Sequence, residues 1–253
     1  MKRILASLAL ALSVLSAGAQ ESAQVYNFGF DVWSKTKGAW NLYPQDATSE
    51  QKVWDTANHA MSILGINGTA PEYAHLAVPG KGKAAVRIES KKILWAFVAG
   101  NLYTGQFLRI VNFKGAEMDF GIPFTGRPKA LKGYYHYQPK TIDYAKAPYL
   151  SLMGKQDEGL IDVVLLDMDQ PYRVDTTKGG FMDTDSDPRV IGKGVLELTK
   201  GTDGYVHFNM PIRYNDDRTP KYLVITAASS RYGDFFTGAN GSVLYLDAFE
   251  FVY

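Results

Sequence analysis

Short runs of alternating apolar and polar residues, separated by scattered single glycines and prolines, constrain this 253-residue chain more than any other feature. Successive side chains of a strand point to opposite faces, so such alternation marks strands with one face buried and the other wet. The runs cover residues 84–89, 93–98, 107–112, 116–120, 131–138, 161–168, 195–199, 205–210, 222–228 and 243–253. Gly80, Gly82, Gly100, Gly105, Gly126, Pro128, Gly192, Gly194, Gly201 and Gly204 supply turn chemistry around them. Helix is predicted only as a turn or two within residues 55–64. About ten short antiparallel strands with little helix predict an all-β sandwich. Without repeats, linkers or low-complexity tracts, residues 20–253 read as a single domain.

Lys2 and Arg3 precede an apolar run from Ile4 to Leu15, and Ala17-Gly18-Ala19 follows with the small-x-small pattern of a cleavage site. Residues 1–19 are therefore expected to be a signal peptide, with the mature protein secreted or periplasmic. No later stretch reaches the roughly 20 apolar residues of a membrane-spanning helix, so the protein is not expected to span a membrane. The chain has no cysteine, which excludes disulfides, thiolate metal sites and a lipid-modified cysteine. Twenty-seven Lys and Arg balance 26 Asp and Glu, with no basic block, so nucleic acid is not an expected partner.

Aromatic residues make up 13% of the chain, and three of its four tryptophans fall between Asn27 and Asn58. Sugar rings present C–H patches on which indole and phenol rings stack, while amides, carboxylates and guanidinium groups read their hydroxyls. Trp40, Trp54 and Tyr135 are the predicted stacking rings, and Asn58, Arg127 and Asp234 the predicted hydroxyl partners. Arg231, Tyr232 and Asp234, beside Phe235 and Phe236, form a further candidate cluster in a loop. The plain alternative is that these rings cap the core. In Gly133-Tyr134-Tyr135-His136-Tyr137-Gln138, parity places Tyr134, His136 and Gln138 on one face and Tyr135 with Tyr137 on the other.

Signals for catalysis are sparse. Glu117 and Asp119 stand two apart on a predicted strand, so both project to one face about 7 Å apart. Such a pair suits hydrolysis of a glycosidic bond, and it resembles the opening of the laminarinase-type strand motif, but Gly121-Ile122 follows where a second glutamate is needed. The four histidines lack metal-site spacing, and no nucleophile elbow or phosphate loop occurs. Asp183, Asp185 and Asp187 alternate without the glycine and glutamate of a calcium loop. In the last run, Asp247 shares a parity with Val243, Tyr245, Phe249, Phe251 and Tyr253. A carboxylate among rings needs a cation, an arginine or several backbone N–H groups. If that cation is calcium, Asp31, near the other chain end, is the candidate second oxygen ligand beside Asp247.

The order of motifs resembles the putative carbohydrate metabolism domain family. The residues concerned are Trp54-Asp55-Thr56-Ala57-Asn58, Val78-Pro79-Gly80-Lys81-Gly82 and Ala99-Gly100-Asn101-Leu102-Tyr103-Thr104-Gly105. Phe120-Gly121-Ile122-Pro123-Phe124-Thr125-Gly126-Arg127-Pro128 and the stretch from Ser229-Ser230-Arg231-Tyr232-Gly233-Asp234 to Asp247 complete it. The resemblance implies a jelly-roll sandwich like that of carbohydrate-binding modules, acting in glycan recognition or processing. It carries no settled catalytic residues. The partners it implies are a polysaccharide or oligosaccharide and an outer-membrane glycan-utilisation system. The closing strand also resembles that of jelly-roll sugar-binding modules whose acid ligates a structural calcium ion. Three readings follow: a carbohydrate-binding protein that needs no cofactor, a glycoside hydrolase or lyase on the same fold, and a surface adhesion protein.

Overall fold

Leu102, Ile161, Val163, Leu165, Leu223 and Ile225 of one sheet meet Val86, Ile88, Leu131, Leu244 and Leu246 of another in a common apolar core. The structure is a computed structural model describing residues 23–78, 81–93, 96–112, 115–179 and 181–253; the expected signal peptide lies outside them. In chain order the strands are β1 (Ser34–Thr36), β2 (Ala39–Asn41), β3 (Trp54–Asp55), β4 (Thr69–Glu72), β5 (Ala85–Glu89) and β6 (Lys91–Ile93). There follow β7 (Ala96–Val98), β8 (Asn101–Val111), β9 (Gly115–Phe120), β10 (Ile122–Pro123), β11 (Ala130–Gln138) and β12 (Gly159–Leu166). The last are β13 (Tyr172–Asp175), β14 (Val190–Leu198), β15 (Val206–Pro211), β16 (Arg213–Tyr214), β17 (Tyr222–Ala228) and β18 (Val243–Val252).

The five-stranded sheet has the order β15-β11-β18-β5-β4. The nine-stranded sheet runs β13-β9-β8-β17-β12-β14-β16, with β3 beside β8 and β10 beside β17. This is the expected all-β jelly-roll sandwich. The helix expected within residues 55–64 is one turn, α1 (Asn58–Met61), followed by a 3-10 turn. No described helix is long and apolar enough to cross a membrane.

Sheet order forces one long detour. After β12 the chain travels past β17, β8 and β9 to place β13 at the far edge, then returns to lay β14 beside β12. Met168 and Met182 of this detour pack on Val164, Leu166, Val190 and Val224, a second apolar cluster separate from the core. Strand parity puts these residues on the outer face of the nine-stranded sheet, because their neighbours Val163, Leu165, Leu223 and Ile225 are in the core. That outer face is therefore roofed at one end.

The last strand corrects the sequence reading. Ala248 has φ 49°, and the β11–β18 register shifts there, so two residues of β18 stand against one of β11. A bulge of this kind reverses facing along a strand. Leu244 and Leu246 point into the core before it, and Phe249 and Phe251 after it. Asp247 thus leaves the face of the buried rings and joins Tyr245 on the outer side. Gly133 makes room for the bulge, since a Cβ there would meet the Phe249 ring at 2.6 Å.

Candidate functional site

On the outer face of the nine-stranded sheet, register sets four residues in a row. Val195 of β14 pairs with Asp162 of β12, Asp162 with Thr226 of β17, and Thr226 with Tyr103 of β8. Neighbouring strands lie about 4.8 Å apart, so the row crosses the sheet as a continuous floor. The Thr226 hydroxyl donates a hydrogen bond to the Asp162 carboxylate. Tyr103 lies 4.9 Å from Phe120, centroid to centroid, and its buried hydroxyl has no hydrogen-bond partner among the described residues.

Two walls turn this floor into a groove. On one side the returning detour contributes Phe181, Met182 and Thr184; on the other, the loop after β17 contributes Arg231, Gly233 and Asp234. The space they enclose over β8, β17 and β12 is a cavity of about 240 Å³. A second depression continues over β14 towards Lys193, Glu197 and Arg213, and shares Leu160, Asp162, Thr184 and Arg231 with the first. Asp162 stands at the junction.

The loop that carries Arg231 and Asp234 is anchored from behind. Asp157, fully buried, accepts hydrogen bonds from the Ser230 hydroxyl at 2.6 Å, the Ala239 N–H at 2.9 Å and the Glu158 N–H at 2.9 Å. Ser90 bridges the hydroxyls of Ser229 and Ser230 at 2.8 and 2.7 Å. Burial pushes the Asp157 carboxyl above the usual range, against the pull of these donors. Arg231 is set by ion pairs to Glu197 at 2.6 Å and Glu158 at 3.3 Å.

The two groove carboxyls are perturbed alike. Burial pushes Asp162 up to about 6, opposed by the Thr226 hydrogen bond and the Lys193 charge and reinforced by Asp234. Asp234 rises to about 6 through loss of solvation alone. The residue itself is exposed where the loop borders the groove. Among the described residues no hydrogen bond or ion pair holds the Asp234 carboxyl.

Of the predicted residues, Arg231 and Asp234 belong to the groove, and Tyr232 flanks it, packed 4.5 Å from Tyr149. Others are corrected. Trp54 is 1% exposed, wedged among Phe28 and Phe30 with its Nε1 donating to the Tyr26 carbonyl at 2.9 Å, and stacks on nothing outside. Asn58 is wholly buried: its amide donates to the Trp40 and Thr69 carbonyls and accepts from the N–H groups of Gly68 and Thr69. Tyr135 faces inward and packs on the core near Phe208. Arg127 lies over the Tyr214 ring at 4.1 Å and donates to the Asp216 and Arg218 carbonyls, clamping a loop. Trp40 is half-buried in the β1–β2 hairpin, edge-on to Trp33 under the Lys35 ammonium, outside the groove.

The suggested catalytic pair is tied up in charge pairs on the surface. Glu117 pairs with Arg109 at 2.6 Å, and Asp119 takes a two-pronged bond from Arg173 at 2.8 Å. Asp31 and Asp247 do converge. Asp247 accepts from the Ala77 N–H at 2.8 Å, and Asp31 accepts from the N–H groups of Lys83 and Ala84. Burial raises the Asp247 carboxyl, opposed by the Ala77 and Ala248 N–H groups and reinforced by Asp31. Among the described residues no third acidic or histidine side chain joins them.

Sequence reasoning missed Asp162, Thr226 and Tyr103. A signal was present: Asp162 is the one charge in Gly159-Leu160-Ile161-Asp162-Val163-Val164-Leu165-Leu166, and a carboxylate inside an apolar central strand is costly without a use.

The five-stranded sheet has its own outer face. Tyr134, His136, Tyr205, His207 and Tyr245 lie on it; His136 stacks on Tyr245 at 5.4 Å and Tyr134 meets His207 at 5.2 Å. The parity read for Tyr134, His136 and Gln138 is the one observed.

Comparison with known proteins places this arrangement. The family profile described as putative carbohydrate metabolism domain matches residues 29–252. A crystal structure described as a putative glycoside hydrolase from Bacteroides thetaiotaomicron is similar at TM-score 0.67 and 21% identity, covering 91% of this chain and 71% of that one. Another so described, from Bacteroides vulgatus, is similar at TM-score 0.61 and 17% identity, covering 87% of this chain and 94% of that one. At those identities the likeness speaks for the fold. No curated protein matches the chain.

Proposed function

The chain belongs to the putative carbohydrate metabolism domain family, and from that premise we propose that it is a secreted carbohydrate-binding protein of glycan recognition or utilisation, holding a polysaccharide in the groove across the nine-stranded sheet. One observation carries this reading: two depressions share Asp162 and Arg231, so the groove is long and not a closed pocket. A polymer needs an open-ended track. Phe120 and Tyr172 offer aromatic surface to sugar C–H faces, while Asn101, Thr226, Arg231 and Asp234 offer hydrogen bonds to hydroxyls. Calorimetric titration with soluble polysaccharides and their oligosaccharides tests it. Saturable binding to one glycan class, weakened at least about tenfold by Arg231→Ala, is the expected result; no binding across the panel would overturn it.

The same reading includes a structural calcium ion at Asp31 and Asp247. Two mutually repelling carboxylates at opposite chain ends are hard oxygen donors of the kind calcium takes, and backbone carbonyls and water would complete its shell. Bound there, the ion would tie the first described loop to the last strand. A chelator should then lower the melting temperature and calcium restore it; identical melting in both would remove the ion.

A further inference from the structure

We propose that Asp162 and Asp234 are the base and the acid of a glycoside hydrolysis carried out in this groove, a step that rests on the reading that the groove takes a glycan. Cleaving a glycosidic bond requires two carboxyl groups that flank it, one to protonate the departing oxygen and one to activate water. Asp162 rises from the floor at the junction of the two depressions, and Asp234 borders the same cavity from the loop wall. A chain lying along the groove passes both.

The remaining acids nearby are held in ion pairs, whereas Asp162 keeps only the Thr226 hydroxyl as a hydrogen-bond donor among the described residues. Asp185 pairs with Lys193 at 2.7 Å, and Glu158 and Glu197 hold Arg231. Among the described residues Asp234 has neither cation nor donor, and it is exposed where the loop borders the groove, so its carboxyl is free to meet a ligand. Tyr103, on the same floor, keeps a hydroxyl without a partner among the described residues. Unspent polar groups beside an open track are what a ligand's hydroxyls complete.

Surroundings divide the roles. The Thr226 hydroxyl and the Lys193 ammonium favour the ionised form of Asp162, as a base requires. Asp234, with nothing to stabilise its charge, favours the protonated form, as an acid requires. Both titrate near 6, close to neutrality, where acid–base catalysis is most effective. The charge of Asp234 also raises Asp162, so the two titrate as a pair that shares a proton near neutrality. The other charges lining the two depressions are Lys193, Arg231, Arg213, Asp185 and Glu197; Tyr103 and Tyr172 stay protonated throughout the range.

In the reaction, Asp234 passes its proton to the glycosidic oxygen as the bond from that oxygen to the anomeric carbon breaks. Asp162 takes a proton from a water molecule whose oxygen forms the new bond to that carbon. Two sugars with free hydroxyls result, and proton exchange with solvent returns Asp234 to its acid and Asp162 to its base form.

The full chain is incubated with soluble β-glucan, xylan, galactan, mannan and α-glucan, and new reducing ends are read by mass spectrometry alongside calorimetric binding. Asp162→Asn and Asp234→Asn keep the side-chain shape, and the amide oxygen in Asp162→Asn would still accept from Thr226, so folding is retained and checked by melting. The expected result is cleavage of the glycan that binds, lowered at least about 100-fold in either variant when the glycan is saturating. Aryl glycosides with a dinitrophenolate leaving group need no acid, so they should restore Asp234→Asn and not Asp162→Asn. A glycan that binds the wild-type chain without any release of reducing ends, or variants that cleave at the wild-type rate, would overturn the assignment and leave the binding reading intact. Binding to none of the panel would overturn both.

Discussion

The sandwich has two outer faces, and they differ in what their polar groups are occupied with. On the five-stranded sheet, rings satisfy one another: His136 stacks on Tyr245, its Nδ1 bonds the Thr202 hydroxyl at 2.8 Å, and the Tyr205 hydroxyl donates to the His75 carbonyl at 3.0 Å. On the nine-stranded sheet, fewer rings surround an acid without a partner and a phenol without a hydrogen bond among the described residues. Aromatic density alone is thus a poor guide to a sugar site, because rings serve packing and recognition equally well. Unsatisfied chemistry beside open space discriminates better.

The largest expected effect tests whether the groove wall is a built feature. Asp157→Ala removes the acceptor of the Ser230 hydroxyl and of the Ala239 and Glu158 N–H groups behind the loop that carries Arg231 and Asp234. Orphaning them should cost on the order of 3 kcal/mol, a fall in Tm of roughly 6–12 °C. His136→Ala, on the other face, should cost about 1 kcal/mol. Equal losses by thermal melting would erase the contrast in how the two faces are held.

Binding gives the next largest difference. Phe120→Ala and Thr226→Val should each weaken a bound glycan by about tenfold, and Tyr205→Ala and Tyr245→Ala should leave its affinity unchanged. Titration of the four variants with one glycan decides which face holds it. The reverse pattern would move the site to the aromatic face.

The sequence made the sheets legible where strands alternate cleanly and obscured them where glycine had a second use. Residues 222–228 are read as a strand and form β17 over the same span. The expected strand at 195–199 is the end of a longer β14, because Gly192 and Gly194 read as turn residues. In the fold they provide close approach: a Cβ at Gly192 would meet the Tyr214 ring at 3.0 Å, and one at Gly194 the Pro211 carbonyl at 2.9 Å. Gly105 is similar, lying inside β8 with φ 143° where a Cβ would strike the Asp119 carbonyl. At the site, loop chemistry was legible in Arg231 and Asp234, but Asp162 and Thr226 acquire meaning only when register sets them side by side. Trp54 and Asn58 misled because a sequence shows what a residue offers and not which neighbours already take it.

A smaller effect separates the faces by pH. Asp162 and Asp234 titrate near 6 in the folded protein, above the range of about 3.9 for an unfolded chain. The folded state therefore binds more protons between about pH 4 and 6, and stability falls as pH rises through that window. Asp162→Asn and Asp234→Asn remove the effect, so each should melt higher than the parent at pH 7 and level with it below about pH 4. His136 on the other face has its pKa lowered by burial; it is neutral at pH 7, and His136→Gln should leave that difference between pH 4 and 7 in place. Equal melting of parent and asparagine variants at pH 7 would mean that the groove is better solvated than its walls imply.

The smallest effect bears on the phenol at the groove floor. Tyr103 is 2% exposed, and its hydroxyl is out of water without a partner among the described residues. Such a group typically costs about 1–3 kcal/mol, part of which the surroundings recover. Tyr103→Phe keeps the ring against Phe120 and deletes only the oxygen, so it should stabilise the protein by about 1 kcal/mol, a rise in Tm of roughly 2–4 °C. No matched gain is expected at Tyr205 of the other face, whose hydroxyl donates to the His75 carbonyl; Tyr205→Phe should be neutral or slightly destabilising. A gain at Tyr103 alone would show that the groove floor retains a cost in stability that the aromatic face does not. If the gain vanishes once glycan is bound, the hydroxyl is serving the ligand, and the cost is a feature of the site.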